Sequence, residues 1–477
     1  MFELIPWLDE TYILEMGRLI LCGGDQYSTL LCDNGTLLMP LYYIGPAIQE
    51  LCFQAFGQLG ARLCPHLGMV ALWLSFRAWL LRSSTCLRRT NVELLGIVAL
   101  TVPLAFQSAL LTRIDSWAIA CILIAMAILG EPGRPRSSFV LFAGSFFTVL
   151  SPFVWPSAAI LLPLPPLLCF DIKRKRELAI FCLLALCSLA ILLVPILTNL
   201  PALLASFRWH YADCAAPTTF HIMSILEPVG REIARAPLFL VLSGTGFLCW
   251  IRRRKLMPIL AFFLAIAGCL YTGLYAFRIV YLTPIFLLMC ADAAVALQNR
   301  HPRGCRLLLA ATALFGVLTG PVGLLVLDHP KLPATLKSDL AATVGTGPIR
   351  VFAPDHATYY IGRELGWRQL GFARPHHAAD TNRLASILGH SDAVVLRDFD
   401  PYTPFQQGCT PYNLFCKYIL NAAKEERDLP AERKSWAARF GGKFGFSWHP
   451  PLQLPGFKEV GKFDMIRVLV REDASQH

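Results

Sequence analysis

The residues best equipped for chemistry in this 477-residue chain are ionisable side chains standing at the edges of long apolar runs. Asp9 and Glu10 form an adjacent acidic pair ahead of an amphipathic stretch, and Arg113 and Asp115 flank Ile114 in the short hairpin LLTRIDSW. Arg208, Trp209, His210, Tyr211, His221 and Glu227 crowd a longer segment, 198–235, and Arg278 opens a later apolar run, FRIVYLTPIFLLM. A carboxylate within hydrogen-bond reach of a hydroxyl can take its proton. A planar guanidinium can hold two phosphate oxygens at once. Spacing also has plainer readings. An acidic pair before Thr11 suits a helix N-terminus with an acidic first turn, and ionisable groups at a membrane surface are ordinarily just solvated.

The elements that must position these residues are lipid-embedded helices. The chain is 55% hydrophobic and 16% charged, against about 25% charged residues in an average soluble domain. An ordinary soluble enzyme is excluded. Apolar runs fall at 62–81, 92–111, 116–130, 137–155, 157–170, 177–197, 236–251, 256–276, 279–297 and 307–328. A span needs about 20 residues, so the expectation is about ten transmembrane helices. The formal charge of +11 sits largely in the loops between these runs. There it marks topology rather than a nucleic-acid surface.

Five basic clusters set the orientation: Arg88–Arg89, Arg134 with Arg136, Lys173–Arg176, Arg252–Lys255, and Arg300 with Arg303 and Arg306. Placing all five in the cytoplasm requires the uncharged stretch 137–170 to cross as a hairpin broken near Pro156. The intervening loops and everything after Asp328 then lie outside. Residues 1–60 read as an extracytoplasmic amphipathic loop. Tyr12, Ile13, Met16, Leu19 and Ile20 form a helical apolar stripe with Glu15 and Arg18 on its wetter side, Gly23 and Gly24 end it, and a second amphipathic stretch follows Pro40. Ten spans with an outer C-terminus also require an outer N-terminus.

From about Pro330 the chain reads as a small water-soluble α/β domain. Ile349–Ala353, Ala393–Leu396 and Met465–Val470 are expected strands, and 357–365 and 412–427 are expected helices. Asp355, His356, His376 and His377 show no catalytic spacing, and the adjacent histidines read as a loop rather than a metal site. Half of the 16 cysteines lie within apolar runs and no CxxC pair occurs, so a structural zinc site is not expected. Cys409 and Cys416 are placed to pair if this part meets an oxidising compartment.

The segment LDETYILEMGRLILCGGDQY followed by MPLYYIGPAI resembles the start of the GT-C class of membrane glycosyltransferases, which includes protein O-mannosyltransferases and the lipid A aminoarabinose transferase. The Arg113-Ile-Asp115 hairpin and the segment YAFRIVYLTPIFLL resemble later parts of that class, so the likeness covers most of the membrane part. It implies a GT-C-like transmembrane domain over 1–328 and an extracytoplasmic domain over 329–477. It implies a polyprenyl-phosphate-linked sugar as donor, a lipid, glycan or protein hydroxyl as acceptor, and a bacterial inner membrane as the setting. Asp9 is then the expected base with Glu10 its neighbour, and Asp115 an acid orienting the acceptor or a metal. Arg113 and Arg278 are expected at the donor phosphate, Arg208 and His210 within reach of the site, and Tyr42 and Tyr43 lining the cavity. The likeness fixes no cofactor and leaves a divalent cation open, because members of the class differ in metal dependence. The class also has a span directly before Asp9, so this chain is expected to lack that first helix.

Three rival readings stand beside this one. A transporter or flippase would show internal repeats or charges near mid-membrane, but no repeat is visible and Asp292 lies at a helix end near Arg300, where solvation or pairing explains it. A polymerase or ligase would place its chemistry in a large late loop between spans. A non-catalytic relative would only bind lipid or a partner.

Overall fold

The computed structural model describes residues 8–23, 42–82, 87–102, 106, 109, 113–133, 135–171, 174–197, 200, 204, 236–271, 278–322, 332–353, 358–370, 385–397, 454–463 and 466–472. Helix α1 spans Leu8–Cys22, and α2 spans Ile44–Arg82 with a sharp kink at Gly57, whose φ of 61° an L side chain resists. Then come α3 (Arg89–Thr101), α4 (Asp115–Leu129), α5 (Ser138–Val154), a 3-10 turn (Pro156–Leu161), α6 (Leu164–Cys169) and α7 (Lys175–Leu197). They are followed by α8 (Pro237–Arg252), α9 (Leu256–Tyr271), a 3-10 turn (Arg278–Leu282), α10 (Thr283–Arg300) and α11 (Pro302–Val317).

Among the described residues four helices are long and apolar enough to cross a membrane: Ile44–Arg82, Lys175–Leu197, Val280–Arg300 and Pro302–Val322. Five more are apolar but shorter, Asp115–Leu129 and Ser138–Val154 among them. Their outer faces are apolar too. Leu183, Leu186, Ile191 and Val194 along α7 are all more than half exposed, as are Leu256, Phe263 and Leu307. Such a surface suits lipid and not water. Inside, α4 is buried nearly all round, which makes it the central post of the bundle.

Crossings are closest where a glycine removes a side chain. A Cβ on Gly246 of α8 would lie 1.9 Å from the Met289 carbonyl oxygen of α10, and one on Gly68 of α2 would lie 2.4 Å from Ser116 Oγ of α4. Asp292 lies in the middle of α10 and not at a helix end, and it is paired there, taking Lys255 Nζ at 2.9 Å and Trp250 Nε1 at 2.5 Å.

The break expected near Pro156 falls there. Helix α5 stops at Val154, and Trp155 is extended with φ −154° and ψ 126°. Proline disfavours the helical region for the residue before it, and this turns Trp155 out of the helix line.

The C-terminal part holds α12 (Leu336–Thr343), β1 (Arg350–Phe352), α13 (Tyr359–Glu364), β2 (Arg368–Leu370), β3 (Ala393–Arg397), β4 (Phe457–Phe463) and β5 (Ile466–Arg471). The strands form one sheet in the order β2-β1-β3-β5-β4. Strand β1 runs parallel to β2 and β3, and β5 runs antiparallel to β3 and β4. Alternate residues fill two cores. Val351, Val395 and Val468 join Leu336 and Leu340 on one side, while Phe352, Val394, Leu396 and Leu469 join Ile387 on the other. Three expected strands are present. Strands β2 and β4 and helix α12 were not anticipated, because β2 is only three residues long and β4 is largely exposed. The helix expected at 412–427, the pairs Cys409–Cys416 and His376–His377, and Asp355 and His356 lie outside the described residues.

One expectation for α1 is corrected. Glu15 is not on a wet face but 2% exposed, because Arg18 and Tyr359, the latter 344 residues away, close over it.

Candidate active site

Arg113 and Asp115 meet at the head of α4, where a negative charge also suits the helix dipole. Asp115 is fully buried. Its Oδ2 accepts from Arg113 Nε at 2.8 Å, and its Oδ1 accepts from the Tyr281 hydroxyl. Tyr281, also fully buried, comes from the 3-10 turn Arg278–Leu282. The Arg113 guanidinium lies 5.2 Å from the centre of the Trp155 ring, and Tyr42 meets the same ring edge-on at 5.0 Å. Four separate stretches of chain thus meet around the Arg113–Asp115 pair.

The head of α4 is held against α2 around Pro65, by side-chain bonds to α2 backbone carbonyls. Pro65 lacks the N–H that would bond the Ala61 carbonyl one turn earlier, and Gln49 Nε2 takes that carbonyl at 3.3 Å. Two carbonyls further along serve α4: Trp117 Nε1 donates to Cys64 O at 2.8 Å and Ser116 Oγ to Pro65 O at 2.7 Å. On the other side Gly45 is wedged in. A Cβ there would lie 2.1 Å from Ile114 Cδ1 and 2.4 Å from the Val154 carbonyl oxygen. Gly45→Ala is therefore expected to cost at least about 1–3 kcal/mol, read as an earlier unfolding midpoint in detergent. Gly244→Ala is the control, since its Cβ would meet nothing within 4 Å.

The structure brings Arg113, Asp115 and Tyr42 of the expected set together. Tyr43 turns away: its hydroxyl donates to the Leu192 carbonyl at 3.2 Å, and its ring meets Phe153 edge-on. Asp9 and Glu10 belong to the first turn of α1, and Arg278 opens the turn that carries Tyr281. The side chains of these three, and all of Arg208 and His210, lie outside the described residues. Trp155 and Tyr281 were not anticipated. The Trp-Pro step at the broken hairpin was the available signal for the first.

No protein-family profile matches the chain, and no curated protein matches its sequence. Solved structures do match. ArnT from Cupriavidus metallidurans bound to undecaprenyl phosphate aligns with a TM-score of 0.58 at 11% identity, over 98% of this chain and 94% of that one. The apo form of the same protein gives 0.55 at 12% identity, over 98% and 93%. The Archaeoglobus fulgidus oligosaccharyltransferase, in a complex with Zn and sulfate, gives 0.53 at 12% identity over 83% of this chain. This chain spans 64% of the length of that archaeal protein. The chain has a GT-C fold. The resemblance seen in the sequence thus holds for the architecture, a polytopic helical membrane protein with a small sheet.

Within this GT-C fold the donor set at Asp115 argues against a divalent cation there. Both of its oxygens are engaged, one by a guanidinium that would repel a second positive charge. Among the described residues no group of three or more His, Cys, Asp and Glu side chains gathers that could hold a metal.

Proposed function

We propose that this protein is a membrane glycosyltransferase that moves a sugar from a polyprenyl-phosphate-linked donor to a hydroxyl of a lipid, glycan or protein acceptor, on the extracytoplasmic face of a bacterial inner membrane. The observation that carries the reading is the buried Arg113–Asp115–Tyr281 cluster against Trp155, set in the fold of a protein whose structure holds undecaprenyl phosphate. A guanidinium held in one orientation by a carboxylate and a ring is a preorganised partner for a leaving phosphate.

In the proposed reaction the acceptor hydroxyl gives its proton to Asp9, with Glu10 as neighbour. Its oxygen bonds to the anomeric carbon, and the bond from that carbon to the phosphate oxygen breaks. The electron pair leaves with the polyprenyl phosphate. Arg113, with Arg278, takes that charge, and Asp115 holds Arg113 in place. Tyr42 lines the site, and Arg208 and His210 reach it from the segment 198–235. In the proposed topology residues 1–328 form the membrane domain with about ten spans, the number that the apolar runs allow. The first loop and residues 329–477 share the outer face.

Proteoliposomes given a panel of radiolabelled polyprenyl-phosphate sugars test the reading. Label leaving the lipid, with free polyprenyl phosphate accumulating in step, is the expected result. Sugar-lipid that crosses the bilayer intact would make the protein a transporter.

A further inference from the structure

The helix α13 of the C-terminal part reaches into the first two helices through a chain of buried polar contacts. Arg18 grips Glu15 with Nε at 3.0 Å and Nη2 at 2.5 Å. The Tyr359 hydroxyl donates to Glu15 Oε2 at 2.9 Å, and Arg363 Nη1 donates to that hydroxyl oxygen at 3.1 Å. Arg363 then forks onto Glu50, Nη2 at 2.6 Å from Oε1 and Nη1 at 3.2 Å from Oε2. Glu50 is fully buried, Tyr359 is 1% exposed and the Arg363 side chain 13%. The Arg363 guanidinium also lies 4.5 Å from the Phe53 ring centre, and Phe53 stacks on Tyr360.

Tyr359 and Arg363 are in the ionisation states these contacts need. Burial, and then the Glu15 carboxylate, push the Tyr359 phenol well above its ordinary value, so it remains a donor. Burial works against the Arg363 charge, but Tyr359 and Glu50 outweigh it and raise its value.

A buried ion pair adds little stability over an apolar one of the same shape, whereas a fixed register is its best-attested use. The register at stake here is that of α1. This helix rides so close on α2 that a Cβ on Gly17 would lie 2.2 Å from the Pro46 carbonyl oxygen and 2.7 Å from Glu50 Cβ. The residue that Arg363 forks is therefore, with Pro46, one of those on which α1 rests. Asp9 lies on the same helix, about 9 Å up the axis from Glu15 at 1.5 Å per residue.

We infer that Arg363 is a positioning residue for sugar transfer: through Glu50 and Tyr359 it holds α1 against α2 and so sets where the acidic pair stands. The inference rests on the transferase reading above. It assigns the C-terminal part a role in the chemistry without contact with substrate.

The test uses the full chain in proteoliposomes with two variants, Arg363→Lys, which keeps the charge and loses the fork, and Tyr359→Phe, which keeps the ring and loses the bond. Both are expected to lower kcat about tenfold or more, with KM for the polyprenyl-phosphate sugar changed by less than about threefold. Hydrogen exchange is expected to quicken in residues 11–22 while α4 and α10 keep their protection. Unchanged exchange in α1, or loosened α1 with wild-type kcat, overturns the inference. So does loss of protection throughout the bundle in both variants, which would make the contacts merely structural. Wild-type protein that transfers no sugar would instead overturn the transferase reading, and the exchange data would still show whether α13 holds α1.

Discussion

Asp9→Asn is expected to slow sugar transfer by about 10²–10⁴-fold, the usual contribution of a general base. The substitution keeps the shape and hydrogen-bonding reach of the side chain and removes its ability to take a proton. Donor KM is expected to change little, because the lost interaction forms with the acceptor proton in the transition state. Glu10→Gln is the companion, and the larger loss identifies the base. A purely structural role predicts a different pattern. An acid in the first turn of a helix contributes about 0.3–1 kcal/mol through the dipole, so the melting temperature would slip slightly and the rate would hold. Single-turnover rates and melting curves on the same preparations separate the two.

Arg113→Ala is expected to remove about 10²–10³-fold of the rate, the size of effect seen when one preorganised charge-stabilising donor is deleted. The variant also strands Asp115, which is fully buried, without its cation. Breaking a buried pair in this way costs about 3–5 kcal/mol. The double variant Arg113→Ala/Asp115→Asn separates these losses. Neutralising the acid is expected to restore much of the melting temperature and none of the transfer. Arg113→Lys is expected to fall between, since an ammonium keeps the charge and loses the planar fork. Transfer restored in the double variant would show that Arg113 serves the fold and not the leaving phosphate.

The scaffold was legible because a bilayer leaves little choice. Every spanning backbone must satisfy its own hydrogen bonds in a continuous apolar helix, so the runs at 116–130, 137–155 and 177–197 mark α4, α5 and α7 to within two residues. The broken hairpin was equally readable, since Pro156 dictates the conformation of Trp155. Arg113 and Asp115 stood out as charges between two such runs. Trp155 and Tyr281 did not, because aromatic residues within apolar runs give no sign of whether they face lipid or a buried carboxylate. Tyr42 and Tyr43 looked alike by spacing and part company in space, one meeting Trp155 and the other Leu192. The contact of Glu15 with Tyr359 was the least legible of all. Periodicity reports which face of a helix is apolar, and it cannot report that a partner 344 residues away will bury a charge on the polar face.

In the proposed reaction a sugar leaves a polyprenyl phosphate by cleavage at its anomeric carbon, with Arg113 receiving the phosphate. A donor labelled separately in its sugar and its phosphate, incubated with excess wild-type protein in proteoliposomes together with candidate lipid, glycan and protein acceptors, measures this directly. The sugar label is expected to move to the acceptor while the phosphate label stays on the polyprenyl chain, and Arg113→Ala is expected to suppress the separation. Two labels that move together to an acceptor, or that stay together on the lipid with every acceptor offered, would contradict that reaction.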